Sequence, residues 1–333
     1  MANSTGENLI GEKLGNYRLE RLLGRGRMGV VYLAQDEALL RSTAVKVLSW
    51  AVSDAVGQNP EAWFISEARN AARINPPPVV QIYGVARHGP HCYIAMEYVD
   101  GSSADCWIRR KGVFSLERAT ELLIHVADAL QAAHEANVIH RDVKPENLLL
   151  RSDGRAKLGD FGMAVDITRS GGAAAVRAGT PYYTAPEIWR GSVASIASDI
   201  YALGATYYYL LTGCPPFQAR ELADLVAAHL NAPIPALPPI HTSVPPVCQA
   251  ILNRCLAKLP NHRYANAQAL ALEARALLTQ LTDPIPPPSS AISVPISAPP
   301  PTQAKASTNS WPASDWRSYF GCVRDPFINQ PGE

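Results

Sequence analysis

Hydrophobic and polar positions change rhythm once along this chain. Between Tyr17 and Val99 they alternate in short runs: Tyr17 to Gly24, Val30 to Asp36, Thr43 to Ser49, Val79 to Val85 and Tyr93 to Val99. Alternation buries one side of an extended chain and wets the other, so each run predicts a strand. Pro60 to Ile74 predicts a helix, with Pro60 in its first turn. Pro76-Pro77-Pro78 ends it, because proline cannot continue the hydrogen-bond ladder. The expectation is a small lobe of five strands and one helix over residues 17–99, preceded by a loose polar arm at 1–16.

After Asp100-Gly101 the rhythm turns helical. Leu116 to Ala136 is amphipathic, with Ser115 placed to cap it and Leu122, Leu123, Val126 and Leu130 on its apolar face. Short strands are expected near Leu148 to Leu150 and Ala156 to Leu158. Further helices are expected at Ile196 to Leu211, Glu221 to Leu230, Pro246 to Ala257 and Asn266 to Leu281. The fold class is therefore α+β, with a small antiparallel-sheet lobe and a larger, mostly helical lobe over 100–281. Residues 282–310 are rich in Pro, Ser and Ala and predict an extended linker. Trp311, Trp316, Tyr319, Phe320 and Phe327 then crowd into a tail at 311–333, which reads either as a disordered tail carrying some aromatics or as a docking segment that packs on the rest of the chain or on a partner.

Composition excludes several classes. The 333 residues carry a net charge of +1, which leaves no electrostatic footprint for nucleic acid. Six cysteines lie scattered without a Cys-x-x-Cys pair, against a zinc site and in keeping with a reducing cytosol. The polar opening, Met1 to Asn8, is no secretory signal. No apolar run reaches the ~18 residues of a membrane span. Ile196 to Leu211 comes nearest, but its Asp199 and three tyrosines mark a core helix. A cytoplasmic protein with no membrane span is the expectation.

The chemistry concentrates in His140-Arg141-Asp142-Val143-Lys144-Pro145-Glu146-Asn147, followed thirteen residues later by Asp160-Phe161-Gly162. One carboxylate can accept a hydroxyl proton. One amide and a second carboxylate can hold a hard cation such as magnesium, which prefers oxygen donors. Gly24-Arg25-Gly26-Arg27-Met28-Gly29 lies between two predicted strands, where glycine lets the backbone approach phosphate oxygens. A strand rather than a helix follows it, so a dinucleotide fold does not fit. Ala44-Val45-Lys46 places a lysine among apolar neighbours, and a buried lysine requires a partner.

These motifs, in this order and spacing, resemble the eukaryotic-like serine/threonine protein kinases of bacteria over roughly residues 17–281. The resemblance implies the following roles. Asp142 is the catalytic base, Lys144 steadies the γ-phosphate, and Asn147 and Asp160 hold Mg2+. Lys46 reaches the α- and β-phosphates of ATP and pairs with Glu67. Leu23, Gly24, Gly26, Gly29, Val31, Ala44, Met96, Glu97, Val99 and Leu149 enclose the nucleotide, with Met96 at the back of the adenine pocket. In Gly179-Thr180-Pro181-Tyr182-Tyr183-Thr184-Ala185-Pro186-Glu187, Thr180 bonds toward Asp142 and Lys144, and Glu187 pairs with Arg263. Asp199 ties a core helix to the catalytic-loop backbone, and His140 packs rather than reacts. Arg141 implies control by phosphate in the 162–179 loop, whose hydroxyl residues before Gly179 are Thr168 and Ser170.

The expected partners are protein substrates, with autophosphorylation included. Kinase domains of this kind often also meet through their small lobes, a dimer that no residue pattern here tests. Arg27 stands where a third glycine is usual, Thr184 where methionine is usual, and the histidine expected at Asn75-Pro76-Pro77 is missing. The alternative is a pseudokinase scaffold that binds nucleotide without transfer. The presence of Lys46, Glu67, Asp142, Asn147 and Asp160 weighs against it.

Overall fold

The computed structural model describes residues 8–26, 29–48, 64–65, 68–69, 71–74, 76–161, 165–166 (backbone only), 180–238 and 244–282. The described residues up to Leu281 group into one compact unit.

The small lobe is an antiparallel sheet. Its strands are β1 (Lys13–Leu14), β2 (Tyr17–Gly26), β3 (Gly29–Asp36), β4 (Arg41–Leu48), β5 (Ile82–His88) and β6 (His91–Glu97), in the order β1-β2-β3-β4-β6-β5. The alternation predicted all but the first. Residues 8–16 are not loose: Leu9 and Leu14 are buried beside Leu19, Tyr32 and Val45. Gly15, at φ 62°, makes the turn that pairs Leu14 with Tyr17. Two apolar residues are too few to show a period.

The fourth predicted strand also shifts. Val79 and Val80 leave the small-lobe sheet and bond to Leu158, so β5 begins at Ile82. Helical backbone at 64–65, 68–69 and 71 buries Phe64 and Ala68 against Leu48, Cys92 and Ile94. Residues 72–74 close it as a turn, with the Ile74 N–H on the Ala71 carbonyl, so the helix ends short of the predicted Ile74, and the remaining residues of the predicted Pro60 to Ile74 helix lie outside the described ones.

The large lobe begins with β7 (Gly101–Ser103) and α1 (Ala104–Lys111). The hydrophobic rhythm did not predict α1, yet its local signals are complete. The Ser103 hydroxyl accepts the Cys106 N–H, Asp105 sits in the first turn, basic residues fill the last turn, and Gly112 follows at φ 90°. α2 (Leu116–Glu135) is capped by Ser115, whose hydroxyl accepts the Arg118 N–H. β8 (Val138–Ile139), β9 (Leu148–Arg151), β10 (Ala156–Leu158) and β11 (Val165–Asp166) form two small antiparallel pairings, β8 with β11 and β10 with β9, and β9 pairs also with β7.

α3 (Pro186–Trp189), α4 (Ile196–Thr212), α5 (Leu222–Asn231), α6 (Pro246–Cys255) and α7 (Ala267–Thr282) complete the lobe. α4 is the central post. A reciprocal Ser195–Ser198 capping box starts it, and Gly213 at φ 76° stops it. α2 and α6 pack on it, and Leu122, Leu123, Leu130, Leu252 and Leu256 are fully enclosed. Burying each such side chain contributes about 1.5–3 kcal/mol. No helix among the described residues is long and apolar enough to cross a membrane. This core holds β8, β9 and β10 rigidly, and the functional residues hang from their ends.

Candidate active site

The loop leaving β8 is pinned by one buried carboxylate. Asp199, in the first turn of α4, accepts the His140 N–H on Oδ2 and the Arg141 N–H on Oδ1, each at 2.9 Å. His134 near the end of α2 donates its Nε2–H to Oδ2, also at 2.9 Å. Arg141 sits at φ 72° and Asp160 at φ 55°, backbone conformations costly for residues other than glycine. The Asp199 bonds hold the first of these in place. Burial pushes the Asp199 carboxyl up, but the His134 bond and the other donors outweigh it and hold it below the ordinary aspartate value.

That depression carries a sign. A carboxyl whose folded pKa lies below its unfolded value of about 3.9 stabilises the fold fully above that pH and loses the contribution as pH falls through the folded value. Asp199→Asn is therefore expected to destabilise the protein at neutral pH, and its melting-temperature deficit relative to wild type should shrink below about pH 4. Thermal melts of both proteins from neutral to acid pH check this, and a deficit that stays constant with pH would contradict it.

His140 is wholly buried, and burial lowers its pKa below the ordinary histidine value. Its Nδ1 accepts the Asp142 N–H and its Nε2 faces the Gly159 carbonyl, each at 3.2 Å. Its ring lies 4.4 Å from that of Phe161. One packing residue thus sets the spacing of Asp142 and Asp160.

Around Asp142 the polar groups converge. Lys144 Nζ lies 2.7 Å from Oδ2. The Thr180 hydroxyl donates to Oδ1 at 3.1 Å and accepts from Lys144 Nζ at 2.8 Å. Burial works against the Lys144 charge, and Asp142 more than compensates, holding the ammonium above the ordinary lysine value. Asn147 donates Nδ2–H to the Asp142 carbonyl at 2.7 Å and to its Oδ2 at 3.2 Å, which leaves the amide oxygen to face a cation.

Lys46 on β4 is buried, with Nζ 2.5 Å from Oδ1 of Asp160. Desolvation pushes the Asp160 carboxyl up, and Lys46 followed by Lys144 holds it below its ordinary value. Glu67, the expected partner of Lys46, lies outside the described residues. So do Gly162, Arg27, Thr168 and Ser170.

Gly24 and Gly26 end β2 in open surroundings. An added Cβ would meet nothing within 4 Å at Gly24 and only the Gly29 carbonyl, at 3.9 Å, at Gly26. Packing does not require glycine at either place, which fits a backbone that must admit phosphate. Gly29 differs, since a Cβ there would strike the Val47 carbonyl. Val31 opposes Lys46 across the β3–β4 pair, Ala44 opposes Met96, and half-buried Leu149 lies on β9. Leu23 is exposed near the end of β2, and Val99 is half-buried just beyond β6. The Glu97 N–H is committed to the Gln81 carbonyl at 2.8 Å.

Several contacts escaped the sequence reading. The Glu97 side chain accepts from buried Lys157 at 2.7 Å and from the Gln81 N–H at 3.3 Å, and Lys157 also donates to the Val79 carbonyl at 3.2 Å. These bonds tie the segment between the lobes to β10. His134 is likewise new. Neither residue stands in a recognisable motif, and their pairing spans 60 and 65 positions. Below the site, Arg263 grips Glu187 through two bonds of 2.7 Å, both side chains nearly free of solvent.

No cluster of three or more His, Cys, Asp or Glu side chains suited to a metal occurs among the described residues. The Asn147 amide and the Asp160 carboxylate offer oxygen donors, and with phosphate oxygens they would make a set of the kind magnesium accepts.

Comparison with known proteins follows the same lines. A family model described as a protein kinase domain matches residues 17–273. The chain is 36% identical over 283 residues to the serine/threonine-protein kinase PknE of Mycobacterium bovis, covering 83% of this chain and 48% of that protein. It is 37% identical over 279 residues to PknH of Mycobacterium tuberculosis, covering 82% and 44%. Against PknD of Mycobacterium tuberculosis it is 37% identical over 277 residues, covering 81% and 41%. The chain spans about half the length of the curated relatives it matches.

Proposed function

The chain belongs to the protein kinase family, in its bacterial eukaryotic-like serine/threonine branch, and we propose that it transfers the γ-phosphate of ATP to Ser and Thr hydroxyls of proteins. The carrying observation is the Asp142 carboxylate set between Lys144 and the Thr180 hydroxyl. Asp142 orients the acceptor hydroxyl and takes its proton as the phosphoryl group arrives. Lys144 offers a cation to the transferring phosphate, and Lys46 offers one to the α- and β-phosphates. Asn147 and Asp160 would hold Mg2+, which when bound neutralises phosphate charge. Gly24 and Gly26 present backbone to the phosphates, while Val31, Ala44, Met96 and Leu149 line the adenine side. In this reading a pseudokinase would lack one of these groups, whereas the sequence carries Lys46, Glu67, Asp142, Asn147 and Asp160 together.

The test is incorporation of labelled phosphate from Mg-ATP into the protein and a generic basic protein. Lys46→Met is expected to lower the rate by ~10²–10³, the scale of losing one preorganised charge donor. A silent wild type, or a Lys46→Met variant as active as wild type, would overturn the assignment. The same preparation mapped for phosphosites tests autophosphorylation at Thr168 or Ser170, the sites that Arg141 would read.

A further inference from the structure

Thr184 occupies a place where a methionine is usual, and the mechanism above assigns it nothing. Its side chain is nevertheless committed. The Thr184 hydroxyl donates to the Thr180 carbonyl at 3.1 Å. The Tyr183 N–H reaches that same carbonyl at 3.1 Å, and the Thr184 N–H reaches the Pro181 carbonyl at 3.3 Å. Residues Pro181–Tyr183 thus form a single 3-10 turn, closed on one side by a side chain. Thr180, at the head of this turn, is the residue whose hydroxyl bridges Asp142 and Lys144. At its foot, Pro186–Trp189 is anchored by the Glu187–Arg263 pair. Hydrogen bonds therefore run from Thr184 through Thr180 to Asp142, and the backbone through Ala185 joins Thr184 to the anchored Pro186–Trp189 helix.

We propose that Thr184 is a positioning residue for phosphoryl transfer: its hydroxyl locks the turn that holds Thr180 against Asp142 and Lys144. A threonine hydroxyl bonding a carbonyl four residues back is a common local device. Here the carbonyl it takes belongs to a residue whose hydroxyl touches both proposed catalytic side chains. Methionine has no donor and cannot make this bond, so the lock is particular to a chain with a hydroxyl at this place. The inference rests on the reading of Asp142 as the group that meets the acceptor hydroxyl.

Four full-length proteins decide it: wild type, Thr184→Val, Thr184→Ser and Thr184→Met. Valine keeps the shape and removes the hydroxyl, whereas serine keeps the hydroxyl. Losing one such bond is expected to lower kcat by about 3- to 10-fold in the Val and Met variants, with KM for ATP unchanged, and Ser should restore most of it. Amide exchange at Tyr183 and residue 184 should quicken in the Val variant and not in the Ser variant. Equal kcat in wild type and Val, or a Ser variant as slow as Val, overturns the proposal. So does a melting-temperature drop in Val without a change in kcat, since that marks a merely structural bond. If wild type itself transfers no phosphate, the assignment of the site fails, and the exchange data then decide the lock alone, with unchanged exchange in Val overturning it.

Discussion

Asp142→Asn is expected to reduce phosphate incorporation by ~10²–10⁴ while leaving the fold intact. The substitution conserves volume, and its amide oxygen can still accept the Thr180 hydroxyl now bound at 3.1 Å. What changes is the charge. An amide takes no proton from the acceptor hydroxyl. Its NH2 group also confronts Lys144 Nζ, which now sits 2.7 Å from a carboxylate oxygen. Lys144 would lose the carboxylate that offsets the cost of burying its ammonium. The loss should fall on kcat, with nucleotide affinity nearly preserved, because Lys46 and Asp160 bind each other independently of Asp142. Initial rates at saturating Mg-ATP, beside nucleotide titration of both proteins, check this. A variant retaining a tenth or more of wild-type kcat would remove Asp142 from the proton-accepting role.

The largest effect on stability is expected at Arg263. Its Nε–H meets the Ala257 carbonyl at 2.8 Å. One terminal nitrogen meets Glu187 and the Ala197 carbonyl, both at 2.7 Å. The other meets Glu187 at 2.7 Å and the Lys258 carbonyl at 3.4 Å. All five donors of the guanidinium are engaged. Arg263→Ala leaves the Glu187 carboxylate buried without its countercharge, a change that costs about 3–5 kcal/mol. For a domain of this size that is on the order of 10 °C in Tm. Arg263→Lys is expected to recover little, because an ammonium has three donors and no planar fork. Thermal and denaturant unfolding of the two variants measure this, and a Lys variant within a degree or two of wild type would show that charge alone suffices. Because Glu187 follows the Thr180–Thr184 turn directly, phosphate transfer should fall together with stability.

The strands and helices were legible wherever a period had room to repeat. α2 and α4 carry long amphipathic or apolar runs, and their starts and ends fall within a residue or so of expectation. β1 was illegible because Leu14 is one buried residue in a two-residue strand. α1 was missed because its mean character is polar, although its caps announced it. Val79 and Val80 have strand chemistry, but their partner is Leu158 in the other lobe, and no local pattern records that.

The candidate site divides the same way. His140, Asp142, Lys144 and Asn147 lie on one short loop, so their spacing already implied proximity. The roles of Thr180, Glu187, Arg263 and Asp199 came through the resemblance, and the structure places each against its expected partner. Lys157 and His134 had no such guide, and for Glu97 the resemblance gave a place beside the nucleotide but not its pairing with Lys157. Glu67, Thr168 and Ser170 remain proposals drawn from the motifs.

The sequence by itself determined the longer periodic elements and the inventory of chemical groups, because burial periodicity and capping act between near neighbours. It also set their order along the chain. Tertiary structure decided which group serves which. Asp199 could be placed on a helix from its neighbours alone. Only the crossing of α2, α4 and the β8 loop gives it His134, His140 and Arg141 at once. Hydrogen bonds and desolvation act through space, over distances that sequence separation does not measure.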